Sequence, residues 1–256
     1  MHTYVIGRPL GGAVALMLAE TNPGLFDGVL PMCTFAGGSG MQVDHVYGGR
    51  VLFDYFFPGV MPEDALHVLD GLDFNRDLAP AVVNALQADP ARGIEMAGID
   101  QIELQYASFP ELVTSILTVL GAQVVFTEDL LGRTHGHSFF DNTATVYTGS
   151  QDDAALNAGV GRFVTTPDAA NQAEHYYQPD GNLTMPVLTL HTTRDPNVPY
   201  AHEAVYAGIV AARGASGLLV QRAFNRFGHC TFTAAEQVQA LEDLVPWAET
   251  GVKPAP

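Results

Sequence analysis

The chain has 256 residues, 47% of them apolar, and a formal charge of −17. That size and apolar content suffice to bury the core of one domain, or of one domain carrying an insertion. The charge excludes nucleic acid and anionic membrane surfaces as partners, since both are polyanions, and Lys253 is the one lysine.

Residues 3–7 read as a short buried strand, and residues 10 onward as a helix with apolar positions Leu10, Val14, Met17 and Leu18 at helical spacing. Between them lies a tight turn, Gly7-Arg8-Pro9-Leu10-Gly11, and Asn22-Pro23-Gly24 ends the helix. Residues 27–32 predict a second strand, after which Gly37, Gly38 and Gly40 mark an exit from the core. Residues 41 to about 182 carry mostly helical patterns, at 63–72, 80–88, 110–120 and 152–163, and are expected to form a helical lid. Residues 186–191 predict a third strand, 200–213 a helix, 218–223 a fourth strand and 234–249 a final helix. Strands alternating with helices predict a parallel α/β sheet. The expected division is a core from residues 1–40 and 183–256, and a lid from 41–182. No run of about 18 apolar residues predicts a membrane span. Met1 stands directly before the first strand, so no signal peptide is expected.

The segment from Leu188 to Ala207, with Asp195-Pro196-Asn197-Val198-Pro199 inside it, and the later Arg226-Phe227-Gly228-His229-Cys230 resemble the acid and histidine loops of α/β-hydrolases. The nearest likeness is to bacterial secreted esterases and lipases with a helical insertion. The resemblance implies that Asp195 is the acid and His229 the histidine, in the chain order of that fold. It also places residues 7–11 where the family has its G-x-S-x-G elbow, with the serine on a strained turn. Here the serine position is Pro9. Proline offers no attacking atom, and its ring holds φ near −65°, which suits the first turn of a plain helix.

The resemblance further implies a truncated α/β-hydrolase fold of about four parallel strands with flanking helices and a large lid, the family's earlier strands being absent. The strand bounded by Thr3 and Gly7 would then be an open edge, expected to pair with a second copy of the chain in a homodimer. Secreted ancestry is implied too, and the compartment is left open.

Cys33 ends the strand beside the elbow strand and Cys230 follows His229, so both fall at one end of the sheet. A disulfide pinning the histidine loop is expected; two buried thiols and a substitute nucleophile at either position are the alternatives. His135 and His137 flank one glycine, and His191 closes the third strand near Asp195. These three are the candidate ligands for zinc or another divalent metal, although the sequence requires no cofactor. The pairs Glu63/Asp64, Glu128/Asp129 and Asp152/Asp153 read as helix starts. Phe139-Phe140 and Tyr176-Tyr177 read as lid core. The expected function is hydrolysis of activated carboxylic or phosphoric esters, as small-molecule substrates, by water activated either by the Asp195–His229 pair alone or by a metal that histidines hold. The alternatives are a catalytically dead remnant or binding module, and a fragment of a serine esterase.

Overall fold

The computed structural model describes residues 2–102, 104–176 and 178–256, the side chains of 173–176 excepted. In chain order the elements are β1 (Tyr4–Gly7), α1 (Leu10–Thr21), β2 (Gly28–Pro31), α2 (Ser39–Phe56), a π-helical turn (Phe74–Leu78), α3 (Ala79–Ala88), α4 (Pro90–Ala97), α5 (Phe109–Arg133), α6 (Asp153–Gly159), α7 (Pro167–Tyr176), β3 (Val187–Arg194), α8 (Ala201–Ala212), β4 (Leu219–Phe227) and α9 (Ala234–Thr250). They divide into two compact units, Met1–Met41 with Tyr177–Pro256, and Gln42–Tyr176.

The first unit is a four-stranded sheet in the order β1-β2-β3-β4, every pair parallel. The fold class is α/β. Successive residues of each strand point to opposite faces, and both faces are covered. Val29 and Val187 pack with Leu16 and Ala19 of α1 and with Tyr206 and Val210 of α8. Leu30, Leu188, Leu190 and Val220 pack with Ala240, Leu244 and Trp247 of α9. This is why the strands read as continuous apolar runs; each buried Leu or Val contributes about 1.5–3 kcal/mol.

Pro9 sits at the start of α1 with φ −62° and ψ −47°, ordinary right-handed geometry. The tight approach of strand and helix is nevertheless retained. A Cβ on Gly7 would lie 2.0 Å from the carbonyl oxygen of Gly11. The helix turns a different face to the sheet from the one its large apolar residues mark. Gly12, Ala13, Ala15, Leu16 and Ala19 are buried, whereas Leu10 is 62% and Val14 43% exposed. Small residues win that face because α1 sits close against the strands.

The second unit is helical around its own core, with Tyr47, Phe53, Leu86, Leu112, Ile116 and Leu120 buried in it. Phe139 is in this core, edge-on to Tyr47 at 4.8 Å. The Tyr176 side chain and Tyr177 lie outside the described residues. Residues 63–72, expected as a helix, are turns, and the helix expected at 110–120 runs on to Arg133. Asp152 does cap a helix, accepting from the backbone N–H of Ala155 at 2.9 Å. Asp64 instead accepts from Leu66 N in a turn, and Asp129 pairs with Arg133 at the far end of α5. Among the described residues, α5 is the one helix long and apolar enough to cross a membrane. Its stripe of Leu112, Ile116, Val119 and Leu120 is buried in the unit's core. Arg50 of α2 is fully buried, its guanidinium shared among Asp54, Gln123 and the carbonyls of Pro62 and Glu63.

Candidate active site

Because the sheet is parallel, the loops leaving β2, β3 and β4 emerge at one edge, where such sheets place their chemistry. β3 and β4 run in register from Val187/Leu219 to Thr192/Phe224, then shift by one residue before Arg194/Phe227. The shift is a bulge, a device that re-aims side chains at strand ends. Beyond it, Gly228 N donates to Arg194 O at 3.0 Å and Thr192 Oγ1 donates to Gly228 O at 2.7 Å. The two loops are thereby stitched together. Gly228 needs its positive φ of 111°, and a Cβ there would strike Thr231 at 2.7 Å.

Asp195 opens the loop after β3 and is buried, 1% exposed. Its Oδ1 accepts the backbone N–H groups of Asn197 and Val198 at 2.9 and 3.0 Å, which fix the carboxylate. His229 Nδ1 lies 2.8 Å from Oδ2 and 3.0 Å from Oδ1. A carboxylate held by two N–H donors is an acceptor, so His229 donates from Nδ1 and carries its lone pair on Nε2. The histidine side chain keeps 21% exposure, against 0% for its partner. The result is an oriented, partly exposed imidazole.

His229 Nε2 faces Cys230 Sγ at 3.8 Å. Cys33 and Cys230 form a disulfide, with Cα atoms 5.3 Å apart. Both cysteines are in the left-handed region, φ 47° and 54°, a conformation that costs a non-glycine residue about 1–2 kcal/mol. With both sulfurs bonded to each other, neither is a thiolate nucleophile.

His191, expected as a metal ligand, has no free lone pair. It is fully buried; Nδ1 meets Glu203 Oε1 at 3.2 Å and Nε2 meets Val198 O at 3.0 Å. Glu203 also accepts from Thr189 Oγ1 at 2.5 Å and Gln221 Nε2 at 2.6 Å. A carbonyl and an already accepting carboxylate face its two nitrogens, an arrangement that favours the protonated ring. Burial alone would lower its pKa; the hydrogen bond and charge of Glu203, the charge of Asp195 and the Val198 carbonyl together raise it. Asp195 Oδ2 is 3.7 Å from His191 Nε2. His191 therefore lies under the loop that carries Asp195 and holds it through Val198 O, with both ring nitrogens engaged by protein. His135 and His137 belong to the helical unit, in the exposed turn that ends α5. Glu203, Thr189 and Gln221 were not read from the sequence. Their one signal is a glutamate in the first turn of the otherwise apolar α8.

No family model matches the chain. It is 32% identical over 75 residues to an o-phthalyl amidase from Xanthobacter agilis, a match covering 29% of this chain and 17% of that protein. Among solved structures it is similar to feruloyl esterase B from Aspergillus oryzae, at 17% identity and a TM-score of 0.46, over 99% of this chain and 61% of that one. It is also similar to an alpha/beta fold family hydrolase from Bacillus anthracis, at 10% identity and a TM-score of 0.37, over 94% and 65%. The chain spans less than two thirds of each of these proteins. In its own parallel sheet, Asp195 stands in the loop after β3 and His229 in the loop after β4.

Proposed function

We propose that the chain hydrolyses activated carboxylic or phosphoric esters with water activated by His229, and without a serine acyl-enzyme. The observation that carries this is the 2.8 Å contact from His229 Nδ1 to buried Asp195, on a histidine whose side chain is 21% exposed. Nε2 takes a proton from water as its oxygen attacks the carbonyl carbon or phosphorus. Asp195 stabilises the imidazolium, which then returns the proton to the departing alkoxide. Pro9 supplies no competing nucleophile, and water activation at His229 needs no metal.

Hydrolysis of an aryl acetate and an aryl phosphotriester by the non-reduced chain tests this. Turnover is expected to survive a serine-directed phosphonate and a chelator. A phosphonate adduct would reveal a covalent nucleophile and overturn the proposal; the absence of any turnover would leave the remnant or binding-module reading in its place.

β1 pairs on one side only within the described sheet, and Ile6 on it is 48% exposed. Pairing of two copies through this edge belongs to the same proposal. Sedimentation velocity at micromolar concentration is expected to show a dimer; a lone monomer peak would contradict it.

A further inference from the structure

We propose that reduction of the Cys33–Cys230 disulfide opens a zinc site made of both cysteine sulfurs and His229 Nε2, with Asp195 as the carboxylate behind the histidine. The three ligand atoms already lie within 4.8 Å of one another. Tetrahedral zinc, with Zn–S about 2.3 Å and Zn–N about 2.0 Å, holds sulfur and nitrogen roughly 3.5 Å apart. His229 Nε2 and Cys230 Sγ stand at 3.8 Å, so that edge of the tetrahedron is nearly formed. The remaining change is separation of the two sulfurs, which side-chain rotation supplies once their bond is broken.

The surroundings suit a metal. His229 already donates Nδ1–H to a fixed carboxylate, the arrangement that sets the tautomer and basicity of zinc-bound imidazoles. The fold holds two non-glycine residues at positive φ, on separate loops, to bring Cys33 and Cys230 together, and such strain gathers at functional sites. Two thiolates and one imidazole select zinc over magnesium or calcium. Three protein ligands leave the fourth position to water, the pattern of catalytic zinc, whose bound water ionises near pH 7.

The chemistry balances with a dithiol as reductant. It gives two electrons and two protons to the disulfide, leaves as its own disulfide, and yields two cysteine thiols. Zinc then displaces the two thiol protons into solvent. In this form Nε2 is a ligand and no longer a base, so attack on an ester would come from zinc-bound hydroxide. That catalytic consequence rests on the proposed ester hydrolysis; the binding does not.

The test reduces the full chain anaerobically with a dithiol, removes the reductant, and titrates cobalt(II) and then zinc(II). The reduced chain is expected to take up one equivalent of cobalt with intense tetrahedral visible bands and a sulfur-to-cobalt charge-transfer band, both erased by zinc. The disulfide form is expected to show neither. Asp195→Asn keeps both cysteines and the imidazole but turns an amide NH₂ toward Nδ1, which favours the Nε2-protonated tautomer, and is expected to weaken binding about 10–100-fold. X-ray absorption of the parent zinc form needs no variant and is expected to show two sulfurs and one imidazole nitrogen. Equal binding by both redox forms, no cobalt uptake after reduction, or a zinc shell without sulfur would each overturn the proposal. Lost ester turnover in the disulfide form alone would instead strike the general-base reading.

Discussion

His229→Ala in the disulfide form is expected to lower the rate of aryl ester hydrolysis by about 10²–10⁴-fold, the usual worth of a positioned general base, with little change in KM. Asp195→Asn is expected to fall by a similar factor, about 10⁴ at the upper end, for a distinct reason. The backbone N–H groups of Asn197 and Val198 demand an acceptor at the Oδ1 position. The asparagine oxygen must therefore sit there, turning its NH₂ group toward His229. Nδ1 becomes the acceptor and the proton moves to Nε2, so the loop keeps its shape while the base loses its lone pair. Steady-state kinetics together with ¹⁵N NMR of the imidazole check this pair. An asparagine variant with normal rate and a changed tautomer would remove His229 from the mechanism.

The second large effect concerns stability. His191→Leu is expected to cost about 3–5 kcal/mol, the range for removing one partner of a buried ion pair. It leaves the Glu203 carboxylate buried without its cation and the Val198 carbonyl without its donor. The folded chain binds the His191 proton more tightly than the unfolded chain does. The stabilisation is therefore complete below about pH 6.5, the ordinary imidazole value, and is lost as pH rises through the higher folded value. Denaturant unfolding across pH is expected to show that decline in the parent and not in the leucine variant. Parallel curves for the two proteins would mean that His191 is not a cation in the fold.

The sheet was legible because it depends on local pattern, apolar runs bounded by turn residues; the pairing of Asp195 with His229 came from the resemblance of their two loops to those of α/β-hydrolases. Pro9 was readable by itself, since a ring-locked φ is a property of one residue. What escaped depends on distant partners. α2 opens with Ser39-Gly40 and carries Gln42, Asp44, His45 and Arg50, so its amphipathic face is hidden by polar residues. Arg50 is tolerated in the interior only because Gln123, 73 positions away, meets its guanidinium. Residues 63–72 have helix-like apolar spacing, yet Asp64 accepts a backbone N–H two residues on and Gly71 takes φ 72°, both turn features. His191 looked like a ligand because a buried glutamate twelve residues ahead was not seen as its partner.

The bond between Cys33 and Cys230 joins residues 197 positions apart, and every residue of the helical unit lies between them. The polypeptide is thus a covalent ring with two tails. A protease that cuts once within Gln42–Tyr176 opens the ring without releasing either piece, so the strands that lead to Asp195 and His229 keep a covalent tether to β1 and β2, now through sulfur.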